Sequence, residues 1–586
     1  MRLWLASMIL STLFMGPGGS CTGPTPKKSS SQGAGPASVV VINLHGALSE
    51  TGEDGKLFGN TRSLRTVLRR LRQARESKKV DKVVLRIGRL QTGWAQLAEL
   101  RAAVVAVQQK GKRVIAHLDD AGNREYYLAC AANEVVMSES GSLWLVGVSA
   151  QALFLRGLLD KVGIEAEFLH EGKYKGAADS MTRKTMSPAM KEALGAILDH
   201  TYAALVKSVA QGRKLPAARV KQLIDQAPLS VEQLKAAGLI DRIANHERDT
   251  QTLAAGGSIN WHFGRKPEEK GALRSLMQLF KPQTLTQPPS TPHVALVYAE
   301  GEIVYGPRRR GLTVSPHVAS HHLIAVLDKL RARDNVKAVV LRINSPGGSA
   351  LASDLIWHAV RRLAAAKPVV ISMGDVAASG GYYIASPATR IYAQPVTLTG
   401  SIGVVGGKFN VVGLMEKIGV TSQTLTRGAR ADIFNLTRRW KPAERQVIQQ
   451  YMHRTYQQFL ARVALGRKLS TAQVDKVAQG RIWSGQAALD HKLVDRLGGM
   501  LDAVADAKKL GQLSADAKTA VYPRPKTWIE RLQEGLGGGN SQITQALLSE
   551  LAGLGFHREL LGVLSALRAW RQERVLTWMP IIVRVK

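Results

Sequence analysis

Two stretches of this chain repeat each other at a fixed offset, which forces a tandem architecture. VVLRI at 83–87 returns as VVLRI at 339–343, 256 residues further on, and at the same shift REYYLACAANEV (124–135) faces GGYYIASPATRI (380–391) and DKVGI (160–164) faces EKIGV (416–420). An ungapped offset held over that length means that one unit was copied, so the two halves must fold alike. In this register the copies differ reciprocally. Ser379, in AASGGYY, stands where the first copy has Asn123, and Lys175, in GKYKGA, stands where the second has Ala431. One copy keeps a candidate nucleophile and the other a candidate base, which predicts a composite site built by both.

At 586 residues the chain suits two domains of roughly 200 residues or more plus terminal segments. Residues 1–21 read as a targeting segment: Arg2, an apolar run at 3–15, then Gly19-Ser20-Cys21. The run is shorter than the about 20 residues a membrane span needs, so it fits a secretory signal and implies export. Its end resembles a bacterial lipoprotein signal, which makes Cys21 a lipidation candidate. Cys130 is the only other cysteine, so a disulfide framework is not expected. The formal charge of +35 raises nucleic acid as a partner, but the basic residues lie in short scattered clusters without a zinc-finger or helix-turn-helix signature. A membrane surface, or simply a solvated Arg-rich exterior, accounts for them better.

Residues 22–37 are rich in Pro, Gly, Ser and Lys and form a flexible tether. The N-terminal domain is expected over 38–262, a linker over 263–291, the C-terminal domain over 292–510, and a helical tail over 511–586, whose apolar stripe packs on a neighbouring domain or lies on a membrane interface. Each copy opens with a buried-strand pattern (39–46 and 293–301), followed by a helix-like stretch, the VVLRI strand, a loop and a further helix and strand. Strands alternating with amphipathic helices predict an α/β fold of βαβ units around a largely parallel sheet. Chemistry in such a sheet gathers in loops after strand C-termini.

Two glycine-rich loops follow strands in the second copy, NSPGGS (344–349) and AASGG (377–381). Glycines let backbone N–H groups approach a ligand closely, and a serine at a strand-to-helix turn presents its Oγ beside the next N–H. In isolation such loops are tight turns or cradles for phosphate or coenzyme A. The first copy reads GRLQTG and AGNRE there, without the paired glycines or the serine, so it cannot form the same oxyanion hole. Ala377 breaks the G-x-S-x-G pattern, which leaves a Ser–His–Asp triad without a motif. A lysine activates serine only when neutral, and burial between two domains depresses its pKa. Spacing alone does not choose Lys175 over Lys173. No metal-ligand cluster stands out.

NSPGG, MGDVAASGGYYIASPA, TLTGSIGV (397–404) and YKGA followed by MSP resemble the signal peptide peptidase A family in its long duplicated form, within the Clp protease/crotonase superfamily, over about 38–510. The resemblance implies two tandem Clp/crotonase-like domains with helical extensions and a Ser–Lys dyad serine peptidase. It makes Ser379 the nucleophile, Lys175 the general base, Ser401 the residue that holds the lysine, and Gly380 with one of Gly347 or Gly348 the oxyanion hole. It implies no cofactor and no metal, a homotetramer, no nucleic-acid partner, and apolar peptide substrates, leftover signal peptides among them, at a membrane facing the periplasm. Gly176 departs from the family's usual Ser, and the lipoprotein-like start departs from its usual anchor. The alternatives are a crotonase-like acyl-CoA enzyme, which export disfavours because CoA is cytoplasmic, and a catalytically dormant membrane-associated scaffold.

Overall fold

The structure, a computed structural model, describes residues 39–50, 62–255, 257–264, 289–308, 316–523 and 576–578. The signal segment with Cys21, the tether, and most of the linker and tail lie outside the described residues. Each copy builds a parallel sheet. In the first, the strand order is Arg242–Ile243, Glu134–Trp144, Arg113–Gly122, Lys82–Leu90, Val39–Gly46, Ile259–Asn260. In the second it is Ile482–Ser484, Leu398–Gly400, Val369–Ala378, Val336–Ser345, His293–Glu300, Thr519–Tyr522, with Arg390–Ala393 also beside Val369–Ala378. The two VVLRI runs are central strands, buried on both faces, and their unbroken β-branched pattern is what such a position demands. Among the described residues, only Leu398–Gly400 and Ile482–Ser484 pair antiparallel within these two sheets.

The copies also match outside the sheets. Each carries a 26-residue helix opened by proline, Pro188–Arg213 and Pro442–Arg467, and closed by a lysine in the left-handed region, Lys214 and Lys468. Gly212 and Gly466 let these helices touch the backbone at Cys130 and Ser386, which are equivalent positions; an added Cβ would stand 1.8 and 2.2 Å from those carbonyl oxygens.

One apolar core runs across the junction: Val294, Leu296, Val340, Met500 and Ala503 of the second copy join the first copy's cluster. A buried ion cluster crosses it as well. Arg342 meets Glu50 at 2.9 Å and Glu99 at 2.6 Å, and its guanidinium also donates to Ser372 Oγ and the Met373 carbonyl. Removing one partner of such a buried set costs about 3–5 kcal/mol, because the remaining charge is stranded. Beside it, Asp375 Oδ1 accepts from the amides of Ala95 and Gln96 at 2.9 and 3.1 Å, capping the Trp94–Gln108 helix of the other copy. Gly93 makes this approach feasible, since a Cβ there would stand 2.1 Å from the Asp375 carboxyl carbon.

A third sheet stitches the halves together. Its order is His317–Ala319, Glu302–Val304, Gly347–Ser349, Leu576–Trp578, Val404–Asn410, Glu165–Glu171. The last pair is antiparallel, Val404 opposite Glu171 through Asn410 opposite Glu165, so a strand of the first copy is hydrogen-bonded into the second.

Candidate active site

That crossing strand delivers Lys175. After Glu171 the chain turns at Gly172, the Lys175 amide donates to the Gly172 carbonyl at 3.1 Å, and the side chain enters the second copy. Lys173 stays exposed, its Nζ 5.1 Å from the Tyr174 ring centroid, so the choice that spacing left open falls to burial. Lys175 Nζ lies 2.8 Å from Ser379 Oγ, 2.8 Å from the Ser401 carbonyl oxygen and 3.0 Å from Ser401 Oγ. All three residues are 0% exposed. Burial drives the Lys175 pKa well below that of a free lysine, with no carboxylate among the causes to offset it. A neutral amine has two N–H groups and one lone pair. Two donations to Ser401 leave the lone pair for the Ser379 hydroxyl.

Ser379 ends the Val369–Ala378 strand and caps the Gly380–Ala385 helix with φ 54° and ψ −115°, a conformation that costs a non-glycine residue about 1–3 kcal/mol. The surroundings hold it there. Its amide donates to the Gly400 carbonyl at 2.8 Å, and Gly381 packs against the Ser345 carbonyl, which a Cβ at Gly381 would approach to 2.6 Å. Tyr382 and Tyr383 anchor the helix by donating to the Leu493 carbonyl and Asp354. Ser401 also has a positive φ, 52°, and its amide donates to the Arg481 carbonyl at 2.7 Å.

Of the glycines expected to form an oxyanion hole, Gly380 follows Ser379 in the helix's first turn, and Gly347 and Gly348 form a short strand with φ 103° and 154°. The Gly347 amide donates to Ser345 Oγ at 3.2 Å. Gly348 packs on Ile303, whose carbonyl oxygen a Cβ would approach to 2.0 Å, so only glycine fits.

Sequence reasoning missed the turn that seats the lysine. The Gln479 carbonyl accepts from the Tyr174 amide at 2.7 Å, and Gly480, φ 75°, lies so close that a Cβ would stand 2.5 Å from Lys175 N. The same turn's Arg481 holds Ser401, pairs with Glu192 at 2.6 Å and stacks on Tyr174 and Trp483. The glycine in AQGRIW was the available signal, but nothing in the repeat connects it to a lysine three hundred residues away.

This arrangement, a buried amine on a strained serine beside glycine-lined amides, is the equipment of a serine peptidase. The chain belongs to peptidase family S49, whose model matches residues 106–259 and 361–514, once in each copy; a Clp protease model matches 311–397. It is 33% identical over 524 residues to "Serine protease SPPA, chloroplastic" of Arabidopsis thaliana, covering 88% of this chain and 76% of that one. It is 32% identical to "Protease 4" of Salmonella typhi, covering 80% and 74%. "Putative signal peptide peptidase SppA" of Enterococcus faecium matches at 33% over 40% of this chain and 70% of its own length. The protein is a serine endopeptidase with a duplicated S49 α/β domain, similar to Clp protease over 311–397. No helix among the described residues is long and apolar enough to cross a membrane.

Proposed function

We propose that the protein hydrolyses apolar peptides, cleaved signal peptides among them, with a Ser–Lys dyad split between its N-terminal domain (38–262) and its C-terminal domain (292–510). The 2.8 Å approach of Lys175 Nζ to Ser379 Oγ, in full burial, carries this reading. Neutral Lys175 takes the Ser379 proton as Oγ attacks the scissile carbonyl. On this reading the amide of Gly380 and one from the Gly347–Gly348 loop stabilise the developing oxyanion. The lysinium then protonates the leaving amine, and Lys175, neutral again, deprotonates the water that hydrolyses the acyl-enzyme. Ser401 keeps the amine aimed throughout. The Enterococcus relative's name supports the substrate class.

The leader-like start supports an exported enzyme at the cell envelope, held to the membrane surface facing the periplasm, with lipidation at Cys21 as its anchor. The assembly proposed is a homotetramer. Incubating the purified protein with a synthetic signal peptide and with a polar peptide of equal length, using Ser379→Ala as the blank, tests the substrate reading. Cleavage of the first at many times the rate of the second is expected, and equal rates or no cleavage by the unaltered enzyme overturns it.

A further inference from the structure

The third sheet contains a guest. Gly347–Ser349 and Val404–Asn410 do not pair with each other; between them lies Leu576–Trp578, from the far end of the sequence. It runs antiparallel to the glycine strand, with Gly347 opposite Trp578, Gly348 opposite Thr577 and Ser349 opposite Leu576, and it meets the other side at Val405 opposite Leu576. Two strands that share one partner are about 9.5 Å apart, twice the ordinary strand spacing, so the slot admits one extended peptide backbone.

The borders of that slot are the catalytic parts. One edge is the Gly347–Gly348 loop, which abuts the Ser379 turn through Ser345 and Gly381. The other is Val404–Asn410, which begins three residues after Ser401 and pairs at Val404 with Glu171, four residues before Lys175. An extended chain in this position lies between the glycine strand beside the Ser379 turn and the strand that follows Ser401. Addition of a strand to exposed edges gives affinity through main-chain hydrogen bonds, with side chains left to set preference. The surrounding sequence, VLTWMPIIV at 575–583, is apolar, like the substrates proposed above.

We propose that segment Leu576–Trp578 is an intramolecular ligand of the substrate slot, which competes with incoming peptides and must leave before they bind. This rests on the peptidase reading, and it assigns that site an occupant from the chain itself. A tethered ligand acts at high effective concentration, so it raises the apparent KM by the inverse of the fraction of open slots.

Leu576→Pro in the full-length protein tests this. Leu576 pairs on both sides, so losing its N–H and fixing φ breaks the ladder whichever edge the amide faces. Expected is a KM for a signal-peptide substrate about 3- to 10-fold lower at unchanged kcat, and the same from a chain ended after Arg571. In parallel, a fluorescein-labelled peptide of residues 572–583 is titrated by polarisation against Ser379→Ala and against Ser379→Ala with Leu576→Pro. Tighter binding to the second, displaced by the signal peptide, is expected. Equal affinity for both proteins together with an unchanged KM overturns the proposal. Absence of all hydrolysis would instead count against the peptidase reading, because the polarisation arm reads the slot without turnover.

Discussion

Equivalent positions of the two copies have taken opposite structures. In the second copy Ser379 sits at a helix N-cap in the left-handed half of the backbone map, aimed at an amine; in the first, Asn123 is already the first residue of its helix, Asn123–Ala129, and its amide group donates to the Gly147 carbonyl at 2.7 Å. Conversely, Glu165–Glu171 of the first copy is a paired strand that leads into buried Lys175, whereas the equivalent 421–431 has no regular structure and is exposed throughout, Leu425 at 93%. Asp119 and Asp375 part in the same way: the side chain of the first is 73% exposed, and the second is half-buried against the other copy's helix. On the proposed composite site, each copy keeps only the half that the site uses.

The largest effect should come from the dyad. Ser379→Ala and Lys175→Met should each lower kcat by about 10³-fold or more, within what general-base and nucleophile deletions cost elsewhere. Lys175→Met should also leave the urea midpoint equal or higher, since an apolar side chain replaces a desolvated amine. Turnover by either variant near the unaltered rate would break the division of labour.

Next is the junction. Burial raises the Asp375 pKa to about 6, above the about 3.9 of an unfolded aspartate. The folded state therefore holds the extra proton between those values, and this group's contribution to stability falls as pH rises from about 4 to 6, then stays flat. The shift corresponds to about 2–3 kcal/mol. Asp375→Asn keeps the acceptor for Ala95 and Gln96 and removes the titration. Urea unfolding at pH 4.5 and 7 should show the pH dependence shrink in that variant, and an identical slope would remove Asp375 from the account.

Ser401→Ala should cost about tenfold in kcat with little change in KM, the loss of one hydrogen bond of about 1–2 kcal/mol that orients the amine. A change confined to KM would mean that Ser401 serves substrate binding. The smallest effect sharpens the comparison most: Asn123→Ser combined with Ala431→Lys restores both missing residues, yet should add no measurable activity to a Ser379→Ala background. Residue 123 is helical and residue 431 is in an exposed loop, so neither backbone presents its side chain to the other.

The tandem α/β units and the reciprocal positions of Ser379 and Lys175 were legible because a repeat register exposes substitutions that composition hides and because strand-then-glycine patterns mark loops after strands, whereas Ser401, and Lys175 over Lys173, came only from the family resemblance. The sequence left three things hidden. The Gln479–Arg481 turn acts through main-chain contacts, which leave no side-chain signature. The Arg342–Glu50–Glu99 cluster joins charges that are ordinary surface residues in sequence and become buried only when the copies meet. The pairing of Leu576–Trp578 with the glycine strand depends on a backbone slot, and an apolar tail offers many surfaces on which to lie.

The central claim is that a lysine from one copy, neutral because it is buried, activates the serine of the other. The rate at which a fluorophosphonate labels Ser379, followed from pH 5 to 10 in the unaltered protein and in Lys175→Met, tests it most directly. Labelling of the unaltered protein should rise with pH along a single ionisation well below that of a free lysine, because the neutral amine is the active form, and Lys175→Met should label slowly at every pH without that step. The same profile and rate in both proteins would contradict the composite site.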